Sequence, residues 1–178
     1  MFSAFFSSRQ TFEITPMATA DAAIAARLHD EAFSRGWSDG EFASLLSQPA
    51  VFGFLIVDPS RRRAQAAGFV LVREAAAEAE ILSIAVSTTA KRSGLGWRLM
   101  QAAMREASQR GAEEMFLEVD EINQAAIALY KKLGFAKVGE RKAYYEREGA
   151  VRTAAWIMRR DLAGKDRPTN RAGTGDAK

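Results

Sequence analysis

A chain of 178 residues can bury one full hydrophobic core, and 48% hydrophobic with 26% charged residues is the balance of a globular domain. It has no cysteine, which excludes disulfides, thiolate metal sites and a cysteine acyl-enzyme; its single histidine, His29, excludes a His-based metal cluster. The net charge is +3, and residues 163–178 hold Lys165, Arg167, Arg171 and Lys178 against only Asp166 and Asp176, so the rest is near neutral and no nucleic-acid-binding face is expected. Any chemistry must therefore rest on carboxylates, phenols and backbone amides. Met1–Phe6 is apolar but short and lacks a basic lead, so it is a poor secretion signal. No segment approaches the ~20 apolar residues of a membrane span, and a cytoplasmic protein is expected.

Thr11–Thr15 alternates apolar and polar residues and predicts a first strand. Ile24, Leu28 and Ala32 recur at helical spacing, predicting a helix over Asp21–Phe33 with Thr19 as its cap and His29 on its surface. After the break at Gly36-Trp37-Ser38, a short helix is predicted over Asp39–Leu46, capped by Ser38 and ended by Pro49. Val51–Val57 and Ala67–Val72 are β-rich runs joined through Asp58-Pro59-Ser60 and the basic Arg61-Arg62-Arg63, which reads as a solvated hairpin tip. Glu80–Val86 is a continuous apolar run expected in the centre of a sheet.

Lys91-Arg92-Ser93-Gly94-Leu95-Gly96 follows that run and opens a helix with Leu95, Leu99, Ala103 and Ala107 on one face, stopped by Gly111. Two glycines between a strand and a helix let the backbone approach a ligand, and the helix N-terminus favours a phosphate or pyrophosphate; taken alone, Gly-x-Gly equally fits an ordinary tight turn. Glu114–Val119 predicts a further strand. Asn123–Leu133 predicts a helix with Asn123 as N-cap, Ala126, Leu129, Tyr130 and Leu133 on one stripe, and Gly134 closing it. Phe135–Arg141 and Arg152–Met158 are expected as a final hairpin around Tyr144, Tyr145 and Gly149. The order β-α-α-β-β-β-α-β-α-β-β describes an α+β fold with a mixed, mainly antiparallel sheet flanked by helices. Residues 1–10 read as a flexible lead, 11–162 as one domain and 163–178 as a disordered tail.

Together, Ile84-Ala85-Val86, Arg92-x-Gly94-Leu95-Gly96, Leu117-Glu118-Val119 and Asn123-x-x-Ala126-x-x-Leu129-Tyr130-x-x-x-Gly134-Phe135 resemble the GNAT superfamily of acetyl-CoA-dependent N-acetyltransferases. With the Gly36-Trp37-Ser38 turn and the Tyr144-Tyr145 pair, the resemblance is strongest to the group that acetylates the N-terminal alanine of a small-subunit ribosomal protein. It implies that Ile84, Ala85 and Val86 line the pantetheine arm of acetyl-CoA, that Lys91, Arg92, Ser93, Gly94, Leu95, Gly96 and Trp97 surround its pyrophosphate, and that Asn123 and Tyr130 lie near its arm. Lys91 stands where the family usually has Gln or Arg, which keeps the charge without a planar fork. Glu146 replaces a frequent proline, and Thr153-Ala154 replaces a frequent acidic pair; both departures fall where the acceptor is expected.

Glu118 has two readings. Strand alternation puts it on the solvent face, opposite Leu117 and Val119; partial burial would instead raise its pKa toward that of a useful base. The resemblance assigns it the second role, taking the proton of the acceptor amine. Tyr130 fits either an amphipathic core tyrosine or, by resemblance, the acid that protonates the departing thiolate. Trp37, Glu118, Tyr144 and Tyr145 are the candidate acceptor contacts, and the aromatics fit ordinary loop-edge packing equally. The implied partner is a protein N-terminus or peptide, met by a monomer or weak dimer without metal, nucleic acid or membrane. The alternatives are a GNAT enzyme acting on a small amine or lysine side chain, and a non-catalytic CoA-binding module.

Overall fold

The structure, a computed structural model, describes residues 11–142 and 154–163. Its elements follow the expected order: β1 (Glu13–Pro16), α1 (Ala22–Asp30), α2 (Asp39–Leu46), β2 (Val51–Val57), β3 (Gly68–Ala75), β4 (Glu78–Val86), α3 (Leu95–Gln109), β5 (Glu114–Asp120), α4 (Gln124–Lys132), β6 (Ala136–Arg141) and β7 (Ala155–Asp161). The seven strands form one sheet in the order β1-β2-β3-β4-β5-β7-β6. Only the central β4–β5 pair is parallel, and α3 makes the crossover between them. No helix among the described residues is long and apolar enough to cross a membrane.

Apolar side chains divide between the two faces of the sheet. On one face Leu95, Leu99, Ala103 and Ala107 of α3 and Ile127, Tyr130 and Leu133 at α4 pack with Val70, Val72, Ile81, Met115, Leu117 and Val119. On the other, Ala25 and Leu28 of α1 and Phe42 of α2 pack with Leu55, Phe69 and Leu71. α2 starts where Ser38 predicts it: the Ser38 hydroxyl accepts from the Glu41 amide while the Glu41 carboxylate accepts from the Ser38 amide, a capping box.

Four expectations are corrected. Thr19 opens a single 3-10 turn, and α1 begins at Ala22 with Asp21 in the cap position. α1 also ends at Asp30, because its apolar repeat stops there: Ala32 and Phe33 are exposed and their amides close a turn onto the His29 carbonyl. Arg63 leaves the basic run to form an ion pair with buried Asp21 at 2.7 Å, and it also donates to Thr15 Oγ1 and the Pro16 carbonyl. That guanidinium holds the Asp21 carboxyl below its usual range. Only long-range contact reveals this tie, since nothing local separates Arg63 from Arg61 and Arg62. His29 is buried rather than on the helix surface, stacked between Phe33 and Trp37 and edge-on to Phe42.

Two strands run further than their apolar residues suggest. β3 continues to Ala75 because Arg73 and Glu74 pair with Glu80 and Ala79 in the β3–β4 hairpin. β7 continues to Asp161 beside β5, where Arg159 meets Glu114 at 2.8 Å. Charged residues carry no strand signal until their neighbours are known. The expected lead over residues 1–10, and the tail from residue 164 on, lie outside the described residues.

Candidate active site

The site begins with an irregularity in β4. Val72 faces Ile81 and Leu71 faces Ser83, so Leu82 is an extra residue, a β-bulge. The bulge switches the alternation of the strand. Ile84 and Val86 join Ile81 on the α3–α4 face, while Leu82 and Ala85 turn to the α1–α2 face. It also ends a pairing. β4 and β5 lie side by side only from Glu78–Glu114 to Ile81–Leu117; beyond that, β4 stays with β3 and β5 stays with β7. The strands diverge. Between them runs a gap edged by Ser83–Val86 on one side and Glu118–Asp120 on the other, and a strand edge so exposed can pair with an extended ligand.

The upper end of the gap leads to the glycine loop. After the short turn Thr88–Ala90, exposed Lys91, Arg92, Ser93 and Gly94 lead into α3, with the Ser93 hydroxyl donating to the Ala90 carbonyl. Arg92 and Gly94 both take positive φ, +63° and +77°. Gly94 is the N-cap of α3, so no side chain caps the helix, and no carboxylate lies in its first turn. The first-turn amides of this 15-residue helix are thus left to a ligand, at the positive end of its dipole. A Cβ on Gly94 would touch nothing, so its φ alone favours glycine; a Cβ on Gly96 would come 3.3 Å from Leu129 Cδ2, so Gly96 lets α3 sit close to α4. Leu95 is buried in the α3–α4 core and Trp97 is half-buried against it.

The candidate acid and base lie on opposite faces of the sheet. Tyr130 is buried in the α3–α4 core, its ring edge-on to Phe135 at 6.0 Å, and burial pushes its phenol up to about 12. It stays protonated throughout the physiological range. Asn123 caps α4, its side-chain oxygen accepting from the Ala126 amide at 3.2 Å. Glu118 points away from that core. Alternation sends Leu117 and Val119 inward and Glu118 outward, yet its side chain is only 34% exposed, and Arg141 Nη2 at the end of β6 holds its carboxylate at 2.6 Å.

Trp37 lies on the Glu118 side of the sheet, in the turn between α1 and α2. Its amide donates to His29 Nδ1 at 3.1 Å, and its half-buried ring stacks on His29 and packs against Phe42, so one side of it is committed to the core. Tyr144, Tyr145, Glu146 and Thr153 lie outside the described residues. No group of three metal-ligating side chains occurs among the described residues. Sequence reasoning missed Arg141, which carries no local signal.

Residues 23–135 match the Acetyltransferase (GNAT) family. The chain belongs to that family. This GNAT chain is 32% identical over 132 residues to the ribosomal protein bS18-alanine N-acetyltransferase of Escherichia coli K12, covering 74% of this chain and 86% of the relative. It is 41% identical over 83 residues to an N-alpha-acetyltransferase of Saccharolobus solfataricus, covering 46% of this chain and 47% of the relative. The crystal structure of the ribosomal-protein-S18-alanine N-acetyltransferase from Escherichia coli superposes with a TM-score of 0.76 at 30% identity, covering 89% of this chain and 99% of that one. Arabidopsis thaliana NAA60 in complex with acetyl-CoA shares the fold, with a TM-score of 0.76 at 19% identity over 86% of this chain and all of that one. The GNAT chain is an acetyltransferase, and its mixed seven-stranded sheet is the GNAT fold.

Proposed function

We propose that this enzyme transfers the acetyl group of acetyl-CoA to the N-terminal α-amine of a protein, with the N-terminal alanine of a small-subunit ribosomal protein as its acceptor. What supports the reading is the end of the β4–β5 pairing after Ile81–Leu117, together with a carboxylate, Glu118, on one face of the sheet and a buried, protonated phenol, Tyr130, in the core on the other. An extended amide-bearing arm fits the free edge of Ile84, Ala85 and Val86, and a pyrophosphate fits the uncapped amides of α3 beside Lys91 and Arg92. Trp97 and Asn123 complete the proposed donor contacts. The two relatives, named for acetylating an N-terminal alanine and an α-amine, support an N-terminal acceptor.

The acceptor enters from the face of Glu118 and Trp37, with Tyr144 and Tyr145 as the opposing contacts. Glu118 takes a proton from the amine, directly or through one water; Arg141 gives up its hold as the amine arrives. The amine nitrogen attacks the thioester carbon, the C–S bond breaks and Tyr130 protonates the departing thiolate. With no cysteine for an acyl-enzyme, direct attack in a ternary complex is the route. The test compares three amines: an Ala-starting peptide, the same peptide blocked at its N-terminus but carrying a free lysine, and spermidine. The highest kcat/KM is expected for the free N-terminus. Preference for lysine or spermidine would overturn the reading.

A further inference from the structure

Trp37 is tied to α1 through His29. Its amide donates to His29 Nδ1 at 3.1 Å, and its ring stacks on the imidazole with centroids 4.9 Å apart. Phe33 stacks on the same imidazole at 4.2 Å, and Phe42 of α2 and Phe69 of β3 approach it further in, so the histidine is 4% exposed. The turn passes close over the end of α1, where a Cβ on Gly36 would come 2.8 Å from Asp30 Oδ1. On the far side of Trp37 the Ser38 amide donates to Glu41, which anchors the turn to α2.

The bond fixes the state of the ring. Nδ1 accepts from Trp37, so it carries no hydrogen, and the neutral imidazole has its own on Nε2. A second proton would go onto Nδ1 and set two N–H donors against each other, in a place where a charge is costly. Among the described residues, the charged groups that act on the ring are Asp30 of α1 and Glu41 of α2; both favour the proton, and burial outweighs them. The ring neighbours from the turn, α2 and β3 are aromatic hydrocarbons or indole and carry no charge.

We propose that His29 is a positioning residue for the acceptor: neutral, it holds the Trp37 backbone so that the free side of the indole meets the substrate, and protonated it releases the turn and weakens acceptor binding. The proposal rests on the reading that Trp37 contacts the acceptor. His29 touches no substrate and acts only through Trp37. Acid then loosens the acceptor side through a single bond, while the Ser38–Glu41 capping box keeps the start of α2 in place.

His29→Asn, His29→Phe and Trp37→Ala in the full chain test it. Asparagine can set its Oδ1 where Nδ1 accepts and does not titrate, whereas phenylalanine keeps a ring and removes the acceptor atom. Acetyl-CoA affinity, and kcat and KM for whichever of the three amines the wild type prefers, are measured between pH 8 and 5, below every unfolding temperature. Ionisation of the amine and of Glu118 is common to all the enzymes, so each KM is read as a ratio to that of His29→Asn. At pH 8, His29→Phe should raise KM about fivefold, the size of one hydrogen bond, with kcat and acetyl-CoA affinity unchanged; His29→Asn should restore it. Below about pH 6.5 the wild-type KM should climb away from that of His29→Asn toward that of His29→Phe. A ratio that stays flat across the range would overturn the proposal, as would a loss of acetyl-CoA affinity in step with KM, which makes His29 a support of the whole fold. Wild-type KM in Trp37→Ala removes the contact on which it rests and overturns it too. If lysine or spermidine proves the preferred amine, the N-terminal reading falls while the His29 ratios are read on that amine.

Discussion

The two faces of the sheet bring different materials to the same gap. On the α3–α4 face the candidate groups are backbone amides at an uncapped helix end and a phenol sunk in a continuous core. On the α1–α2 face they are a part-exposed carboxylate held by Arg141 and a half-buried tryptophan. Amides held by secondary structure do not change with side-chain identity, whereas exposed charges and turns do. On the proposed reading, the donor side is built to be constant, and the acceptor side is where one such enzyme can differ from another.

The largest effect should come from the acceptor face. Glu118→Gln should lower kcat/KM on the preferred amine by on the order of 10²-fold or more and leave acetyl-CoA affinity unchanged. The loss should shrink at high pH, where the amine deprotonates unaided, so a pH series of the two enzymes measures it. Full activity at neutral pH would reduce Glu118 to the partner of Arg141. On the opposite face, Tyr130→Phe removes one oxygen from a packed ring and should cut turnover by roughly 10-fold or more with little change in unfolding temperature. Because burial places the phenol near 12, the wild-type rate should show no alkaline limb from Tyr130 below about pH 11.

Gly94→Ala tests the constancy of the donor side. The added methyl meets no neighbour, but φ +77° costs an alanine about 1 kcal/mol, and the loop should relax away from its present shape. Acetyl-CoA affinity should fall several-fold by calorimetry, with acceptor preference among the three amines unchanged. A change in preference would break the division between faces.

The smallest effect concerns stability at the turn between α1 and α2. Burial holds the His29 pKa below its ordinary 6.5, so the unfolded chain takes up a proton before the folded one does. His29 thus contributes stability that is present above pH 6.5 and lost as pH falls through its folded value. Asp21, whose carboxyl titrates below 3.8, retains its contribution through that window and loses it only at lower pH. Thermal unfolding between pH 8 and 5 should show a modest fall below about 6.5, absent in His29→Phe. An identical slope in the variant would remove His29 as its source.

Element types and their order were legible in the sequence because each rests on local signals. The alternation of Thr11–Thr15, the repeat Leu95-Leu99-Ala103-Ala107 and the caps Ser38 and Asn123 act within a few residues of themselves; the structure has the repeat and both caps, and the strand, which runs Glu13–Pro16. The candidate donor loop was legible for the same reason: a glycine before an amphipathic helix leaves an uncapped N-terminus wherever the chain goes. What tertiary structure decided was partnership. Arg63 on Asp21, Arg141 on Glu118 and the aromatic enclosure of His29 join residues from different elements, and a charged or aromatic residue has the same local pattern whether paired or free. The gap itself is also tertiary. It opens because one extra residue at Leu82 ends the β4–β5 pairing after Ile81, and a bulge appears only when the register of the neighbouring strand is known.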